Sequence, residues 1–188
     1  NITAYAKRDQ SRPKRDAFVG MLPPKLAQIM INLASTPDQP KSLSLLDPFC
    51  GTGVILQEAA LMGYDVYGSD LNPKMIDYTE KNLTWIKSNY RQAGEIIDIT
   101  QADAMTHTWT DANKITAVVC ETYLGQPFSA PPSPQKLKEV VGNCNHIISN
   151  FLKNIHPQLQ SNTPLCIAIP AWRNKEGKLT HLPLINKL

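Results

Sequence analysis

The sequence contains residues whose types and spacing are those of a ligand site, namely two acids separated by a turn with two glycines. An apolar run ends at Asp47, and the turn that follows contains Gly51 and Gly53. Glycine lets the backbone bend tightly and approach a ligand, which a residue with a Cβ would resist. The unpaired N–H groups of a helix that begins after Gly53 favour a negatively charged group, such as a carboxylate. Asp70 ends the next apolar run, where its carboxylate is suited to a ribose diol, so the spacing predicts a nucleotide-binding site of an α/β domain.

The two acidic segments resemble a known pair of motifs. Residues 47–53, Asp-Pro-Phe-Cys-Gly-Thr-Gly, and residues 68–75, Gly-Ser-Asp-Leu-Asn-Pro-Lys-Met, are similar to motifs I and II of class I S-adenosylmethionine-dependent methyltransferases. With residues 8–27 upstream, they resemble the RNA methyltransferases associated with THUMP domains, in particular those that methylate guanosine N2 in tRNA. The resemblance implies a cytoplasmic enzyme that uses S-adenosylmethionine to methylate a base nitrogen of RNA, guanine N2 of tRNA. The cofactor-binding residues that it implies are Asp47, Phe49, Cys50, Gly51, Gly53, Asp70, Leu71, Asp103 and Ala104.

The catalytic loop implied by the resemblance follows the fourth predicted strand. Enzymes of this type have Asp/Asn-Pro-Pro-Tyr there, whose oxygens accept hydrogen bonds from the amino group and whose ring stacks on the base. In this sequence the residues are Glu121-Thr122-Tyr123-Leu124-Gly125, with a longer acid, no prolines and a displaced ring. We expect Glu121 to orient the amino group and Tyr123 to stack on the base, with Phe128 as an alternative for the stacking ring.

Two other functions remain open from the sequence. Cys120 directly precedes Glu121 and could act as the nucleophile of a pyrimidine-carbon methyltransferase, which requires an exposed thiol of lowered pKa. Alternatively, the altered loop indicates a non-catalytic scaffold that binds S-adenosylmethionine or RNA. A nicotinamide-binding domain fits less well, because Leu56 occupies the place of the third glycine in Gly-x-Gly-x-x-Gly.

The elements that must position these residues alternate along the chain. This order predicts an α/β fold, with a Rossmann-like, mostly parallel sheet covered by helices on both faces. A complete methyltransferase sheet of seven strands would need two more, so we expect a domain over residues 23–188 that lacks the last two strands. Either the fold is truncated, or the sequence is a piece of a longer protein with an RNA-binding domain ahead of Asn1. The predicted strands are 43–47, 64–70, 96–100, 115–120 and 165–169, and the predicted helices begin at 24, 54, 73, 134 and 182.

Composition and charge restrict the partners. The 188 residues are 42% hydrophobic, which suits one domain, and no run approaches the ~20 apolar residues of a membrane span. Residues 1–25 carry six basic residues and two acids, whereas the rest of the chain has a net charge of −1. We therefore interpret residues 1–22 as an extended basic leader and expect Arg12, Lys14 and Arg15 to bind RNA phosphates. The alternative is that these cations pair with acids of this chain or of a missing domain.

The four cysteines give no indication of a metal site. Cys50, Cys120, Cys144 and Cys166 lie far apart, without a Cys-x-x-Cys pair. We expect reduced, mostly buried thiols and no bound metal.

Overall fold

A five-stranded parallel sheet is the central element, with the order β3-β2-β1-β4-β5. The computed structural model describes residues 2–16, 22–35, 43–128, 130–174 and 176–187. The strands of the sheet are β1 Ser44–Asp47, β2 Asp65–Asp70, β3 Ile96–Gln101, β4 Ala117–Glu121 and β5 Leu165–Ala168. The helices are α1 Ile2–Ser11, α2 Pro24–Leu33, α3 Val54–Leu61, α4 Pro73–Asn89 and α5 Pro134–Ile155. The order of the strands in the sheet reverses between β1 and β4. At such a point the carboxyl ends of the parallel strands leave a crevice for a ligand.

The two longest helices begin where the sequence provides caps. Asn72 accepts a hydrogen bond from the Lys74 backbone N–H at 3.0 Å, and Ser133 accepts one from the Lys136 N–H at 3.2 Å. In both helices a proline follows the cap in the first turn, where its missing N–H costs no hydrogen bond. Each helix therefore has a defined start close to the carboxyl edge of the sheet.

Helices cover both faces of the sheet, which confirms the predicted Rossmann-like α/β class. One buried cluster joins α2, α3 and α4 to the sheet and includes Ile31, Leu45 and Leu83. A second cluster lies on the other face, where Phe151 of α5 packs with Leu46 and Val118. Because β1 contributes Leu45 to one cluster and Leu46 to the other, it is buried on both faces, as expected of a central parallel strand.

The prediction of an extended leader is wrong for residues 2–11, which form α1. Arg8 of α1 binds the buried Glu58 of α3 through two hydrogen bonds of 2.6 and 2.8 Å. Gln28 of α2 donates to the same carboxylate at 2.7 Å. The helix is thus held by Glu58, which is 50 residues away from Arg8, and by Gln28, which is 23 residues away from Tyr5 and accepts from its hydroxyl. Its own sequence lacks a sustained apolar periodicity that would predict it.

The chain after β5 also differs from the prediction. Two short strands, β6 Trp172–Arg173 and β7 Leu179–Thr180, form a separate antiparallel hairpin that the sequence had not indicated. The predicted final helix is a short 3-10 segment, Pro183–Lys187. Within the described residues no further strand joins the parallel sheet, and none of the helices is long and apolar enough to cross a bilayer. Residues 37–40, whose two prolines predict a loop between α2 and β1, lie outside the described residues.

Candidate active site

The turn after β1 has the backbone conformation that its glycines allow. Gly51 and Gly53 have φ angles of 51° and 78°, in the left-handed region that residues with a Cβ rarely adopt. A Cβ on Gly53 would also lie 2.9 Å from the Thr79 Oγ1 atom of α4. Thr79 donates from this oxygen to the Gly51 carbonyl at 2.9 Å. The turn is thus fixed from behind by α4.

Asn82 also holds the glycine turn, through hydrogen bonds made inside the protein. Its side chain is fully buried, and its Nδ2 donates to the Thr52 carbonyl at 2.8 Å and to the Lys14 carbonyl at 3.0 Å. Its Oδ1 accepts from the Lys14 backbone N–H at 2.9 Å. One side chain therefore connects the glycine turn to the segment that follows α1.

Asp70 connects β2 to the glycine turn. One carboxylate oxygen accepts from the Gly51 N–H and the other from the Asn72 N–H, both at 2.9 Å. Burial raises the pKa of Asp70, although these two hydrogen bonds act in the opposite direction. A carboxylate has about four lone-pair sites, so Asp70 can still accept hydrogen bonds from a ligand.

A cavity of about 740 Å³ lies at this edge of the sheet. Four acids line it, from the ends of four different strands, and its described lining includes no lysine or arginine. Asp47 is only 2% exposed. Burial raises its pKa well above the usual range, and Asp70 and Glu121 raise it further, while the hydrogen bond from the Phe49 N–H lowers it. The cavity therefore favours a cationic ligand and disfavours a pyrophosphate. Its acids are Asp47, Asp70, Asp103 and Glu121.

The structure brings most of the predicted site residues together. Gly53 is not part of the cavity wall and instead supports the start of α3. Asp103 lines the cavity but also accepts from the Met105 N–H at 2.9 Å, so part of its carboxylate caps its own turn. The predicted residues that line the cavity are Asp47, Phe49, Cys50, Gly51, Asp70, Leu71, Asp103, Ala104, Glu121 and Tyr123.

The loop after β4 is held without prolines. Thr122 donates to the Ala168 carbonyl from both its backbone N–H, at 3.1 Å, and its Oγ1, at 2.9 Å. Gly125 has a φ of 86°, and a Cβ there would lie 2.8 Å from Val140 Cγ1 of α5. Burial raises the pKa of Glu121, whereas the Tyr123 side chain is 42% exposed. The loop thus fixes an acid at the cavity and leaves an aromatic ring accessible beside it.

The structure contradicts the nucleophile predicted at Cys120. Its thiol is fully buried in the cluster that contains Leu46 and Phe151, and it does not line the cavity. Burial, followed by Asp47 and Cys166, raises its pKa well above the usual range. A buried thiol of raised pKa does not supply the thiolate that a carbon methylation requires.

Within the basic segment, the structure contradicts the predicted RNA contact of Arg12. Arg12 is 4% exposed, with its guanidinium 3.2 Å from Asp9, so burial removes it from contact with a phosphate. Arg15 is half-exposed and lies 4.0 Å from the same carboxylate. Lys14 is partly exposed, and its ammonium lies over the Tyr78 ring. None of the three lines the cavity, and Arg12 follows the alternative of pairing with an acid of this chain.

Two exposed residues of α5 belong to the site although the sequence did not indicate them. Asn143 and His146 lie three residues apart, about one helical turn, and both line the cavity with Leu124. Polar residues on the surface of an amphipathic helix are ordinary, so only the packing of α5 against the loop after β4 identifies them.

Comparison with known proteins agrees with this geometry. The family model UPF0020, described as RMKL-like, methyltransferase domain, matches residues 12–176. The tRNA (guanine(10)-N2)-dimethyltransferase of Methanothermobacter thermautotrophicus is 31% identical over 171 residues, which are 90% of this chain and 45% of that protein. The enzyme of the same name from Methanocaldococcus jannaschii is 33% identical over 164 residues, covering 83% of this chain and 45% of that protein. The chain thus spans less than half the length of these curated relatives.

Solved structures confirm the class I methyltransferase fold. TrmN from Thermus thermophilus superposes with a TM-score of 0.57 at 24% identity, over 81% of this chain and 40% of that one. An RNA methyltransferase from Salinibacter ruber, in complex with S-adenosyl-L-homocysteine, has a TM-score of 0.51 at 19% identity, over 77% and 74% of the two chains. At these identities the likeness concerns the fold alone.

Proposed function

The chain belongs to the RMKL-like methyltransferase domain family, and from this premise we propose that it transfers a methyl group from S-adenosylmethionine to N2 of a guanine in tRNA. The observation that carries the proposal is one continuous cavity. It joins the glycine turn and Asp70, suited to a nucleoside cofactor, to Glu121 and Tyr123, suited to an amino-bearing base. The curated relatives that are named tRNA (guanine(10)-N2)-dimethyltransferases support the choice of substrate.

The residues of the cavity fit the charge of the cofactor. S-adenosylmethionine, when bound, supplies an electrophilic methyl group on a cationic sulfur and leaves as a neutral thioether. Asp47 is the buried acid closest in sequence to the glycine turn and would bind the ammonium group of the methionine part. The start of α3 would bind its carboxylate through free N–H groups. Asp70 would accept hydrogen bonds from the ribose hydroxyls, and Asp103 from the adenine amino group.

Glu121 acts on the acceptor nitrogen. The lone pair of an exocyclic amine is delocalised into the base, so the amine is a weak nucleophile. The Glu121 carboxylate would accept a hydrogen bond from the amino group, orient its lone pair towards the methyl group, and take the proton that nitrogen loses as the N–C bond forms. Thr122 keeps this acid in place by binding the end of β5. The group must be ionised to do this, so activity should decrease as the pH falls through the raised pKa of Glu121.

The outer part of the cavity would hold the base. Tyr123 is exposed beside Glu121 and offers a ring for stacking, an interaction of about 1 to 3 kcal/mol per base. Asn143 and His146 of α5 lie along the same opening and would bind the polar edge of the base. Lys14 and Arg15 remain proposed phosphate contacts, at a distance from the base. A cytoplasmic location and an RNA-binding domain elsewhere in a longer protein are also part of this proposal.

The experiment that tests the proposal changes Glu121 alone. Glu121→Gln keeps an acceptor oxygen without the charge, and Glu121→Ala removes both. Transfer of radiolabelled methyl groups to tRNA should decrease in the order wild type, Gln, Ala, with a loss of about 10² to 10³ for Ala. Calorimetry should show unchanged binding of S-adenosylhomocysteine. Glu139→Gln is the matched control, because this exposed acid of α5 pairs with Lys136 and does not line the cavity.

The outcomes separate binding from chemistry. An Ala variant as active as wild type would reject the role of Glu121. A wild-type chain that binds S-adenosylhomocysteine but methylates no tRNA would favour the non-catalytic scaffold. Saturable binding of NADH without binding of S-adenosylhomocysteine would overturn the whole proposal.

A further inference from the structure

The hairpin formed by β6 and β7 carries cations that the reaction proposed above does not use. Arg173 and Lys178 are exposed, and neither has a carboxylate partner within the part of the chain that the structure describes. The hairpin sequence 172–181 has three basic residues, one acid and a histidine. We propose that this hairpin is a docking surface for the RNA phosphate backbone next to the target base, an inference that rests on the proposed function.

Hydrogen bonds of Asn174 join the two strands of the hairpin. The Oδ1 atom of Asn174 accepts from the Glu176 N–H at 3.1 Å and from the Lys178 N–H at 2.8 Å. The Asn174 N–H in turn donates to the Lys178 carbonyl at 2.9 Å. Gly177 takes the left-handed conformation that closes the turn, with a φ of 84°. Arg173 is paired within β6 and Lys178 is bonded to Asn174, so less backbone freedom is lost when these two residues bind a partner.

The base of the hairpin lies against the catalytic loop. β5 ends at Ala168, whose carbonyl binds Thr122, and the hairpin begins four residues later. Trp172 packs against the cluster of α5 that contains Val140 and Cys144. The Trp172 Cζ2 atom lies 3.9 Å from the position that a Cβ on Gly125 would occupy. Because Gly125 lines the cavity, the start of the hairpin lies beside the cavity wall.

Charge favours a separate surface for the phosphates. Four acids line the cavity, and a phosphate that approached them would be repelled. A base can enter this cavity only if its backbone stays outside and is neutralised there. At physiological ionic strength charges interact over about 8 Å, so the neutralising cations must lie close to the mouth. Arg12 is buried and does not fill this role, whereas the hairpin adjoins the loop after β4.

The test measures RNA binding, not turnover. The affinity of the 188-residue chain for a tRNA transcript is measured over a series of salt concentrations, by fluorescence anisotropy. Each lost phosphate contact lowers the slope of log K against log salt by about 0.7 to 0.9, so Arg173→Ala with Lys178→Ala should lower it by about 1.4 to 1.8. The control Arg91→Ala with Lys114→Ala removes the same charge at the amino ends of the strands, because these residues precede β3 and β4. We expect the control to leave the slope nearly unchanged.

Two further measurements exclude indirect effects. Binding of S-adenosylhomocysteine should be equal in all variants, which shows that the cavity is intact. Arg173→Lys with Lys178→Arg keeps both charges and should retain the wild-type slope. The inference is overturned if the hairpin and control variants change the slope equally, or if the wild-type chain shows no salt-dependent RNA binding. A hairpin-dependent slope in a chain that transfers no methyl group would instead overturn the proposed function and leave the docking surface in place.

Discussion

Asn82 allows a direct test of how the glycine turn is held. Its three hydrogen bonds of 2.8 to 3.0 Å are made inside the protein, to Thr52 and to both backbone groups of Lys14. A typical hydrogen bond contributes about 0.5 to 1.5 kcal/mol, so their loss in Asn82→Ala amounts to about 1.5 to 4.5 kcal/mol. The Thr52 carbonyl retains a 3.3 Å hydrogen bond from Gln57, and Lys14 is partly exposed and can be solvated. We therefore expect a decrease of about 2 to 3 kcal/mol in the free energy of unfolding.

For a domain of this size, each kcal/mol shifts the unfolding temperature by about 2 to 4 °C, so Asn82→Ala should lower it by roughly 4 to 12 °C. Thermal unfolding followed by circular dichroism measures the shift. Asn89→Ala is the matched control, because Asn89 lies on the same helix, is exposed and makes one local bond to the Trp85 carbonyl at 2.8 Å. Both variants gain the same helix propensity from alanine, and the control should change stability by less than about 0.5 kcal/mol.

The same variant should weaken binding of S-adenosylhomocysteine, because Asn82 fixes the carbonyl of Thr52 within the turn. Equal unfolding temperatures for Asn82→Ala and Asn89→Ala would refute the reasoning. A lower stability with unchanged cofactor affinity would show that Asn82 supports only the segment after α1, and that Thr79 suffices for the turn.

Two further predictions concern buried titratable groups. The pKa of Asp47 is raised in the folded chain, so its contribution to stability is present below its unfolded pKa of about 3.9 and is lost as the pH rises through the folded value. Asp47→Asn should therefore increase the unfolding temperature of the ligand-free chain at pH 7 but not at pH 3. In calorimetry the same variant should bind S-adenosylmethionine more weakly, by about 1.5 to 3 kcal/mol. An unchanged affinity would show that Asp47 does not contact the ligand. Cys120→Ala should leave methyl transfer to tRNA within about twofold and cost about 1 to 2 kcal/mol of stability through lost packing; complete loss of turnover in a folded variant would restore the carbon mechanism.

The sequence predicted which acids lie together at the edge of the sheet, for a physical reason. Parallel strands place their carboxyl ends at one edge of a sheet, so acids that end successive apolar runs must come together. Asp47, Asp70 and Glu121 follow this rule and line one cavity. The five strands were predicted for the same reason, since each is an apolar run bounded by a turn or a helix cap.

What the sequence did not predict depends on contacts between distant residues. The helix α1 is held by Arg8 and Glu58, which are 50 residues apart, and its composition alone indicates a solvated leader. Arg12 lies in a basic stretch but is buried, and charge counts do not report burial. The loop after β4 lost both prolines of the resembled motif, and only the structure shows Thr122 bound to Ala168 in their place.

The arrangement of charge also explains why the site retains buried acids that lower the stability of the ligand-free chain. Ionised carboxylates that are buried destabilise the ligand-free chain, because burial raises the pKa values of Asp47, Asp70 and Glu121. At Asp47, repulsion from Asp70 and Glu121 raises the pKa further. A cationic ligand relieves this repulsion, so part of the free energy that the acids cost in folding is recovered when the cofactor binds. The proposed RNA substrate has the opposite requirement, because its phosphates need cations. Under the proposed function, the acids inside the cavity and the cations of the β6–β7 hairpin therefore occupy separate surfaces. The loop from Glu121 to Gly125 lines the cavity and adjoins Trp172 of the hairpin, and it is there that base and methyl group would meet.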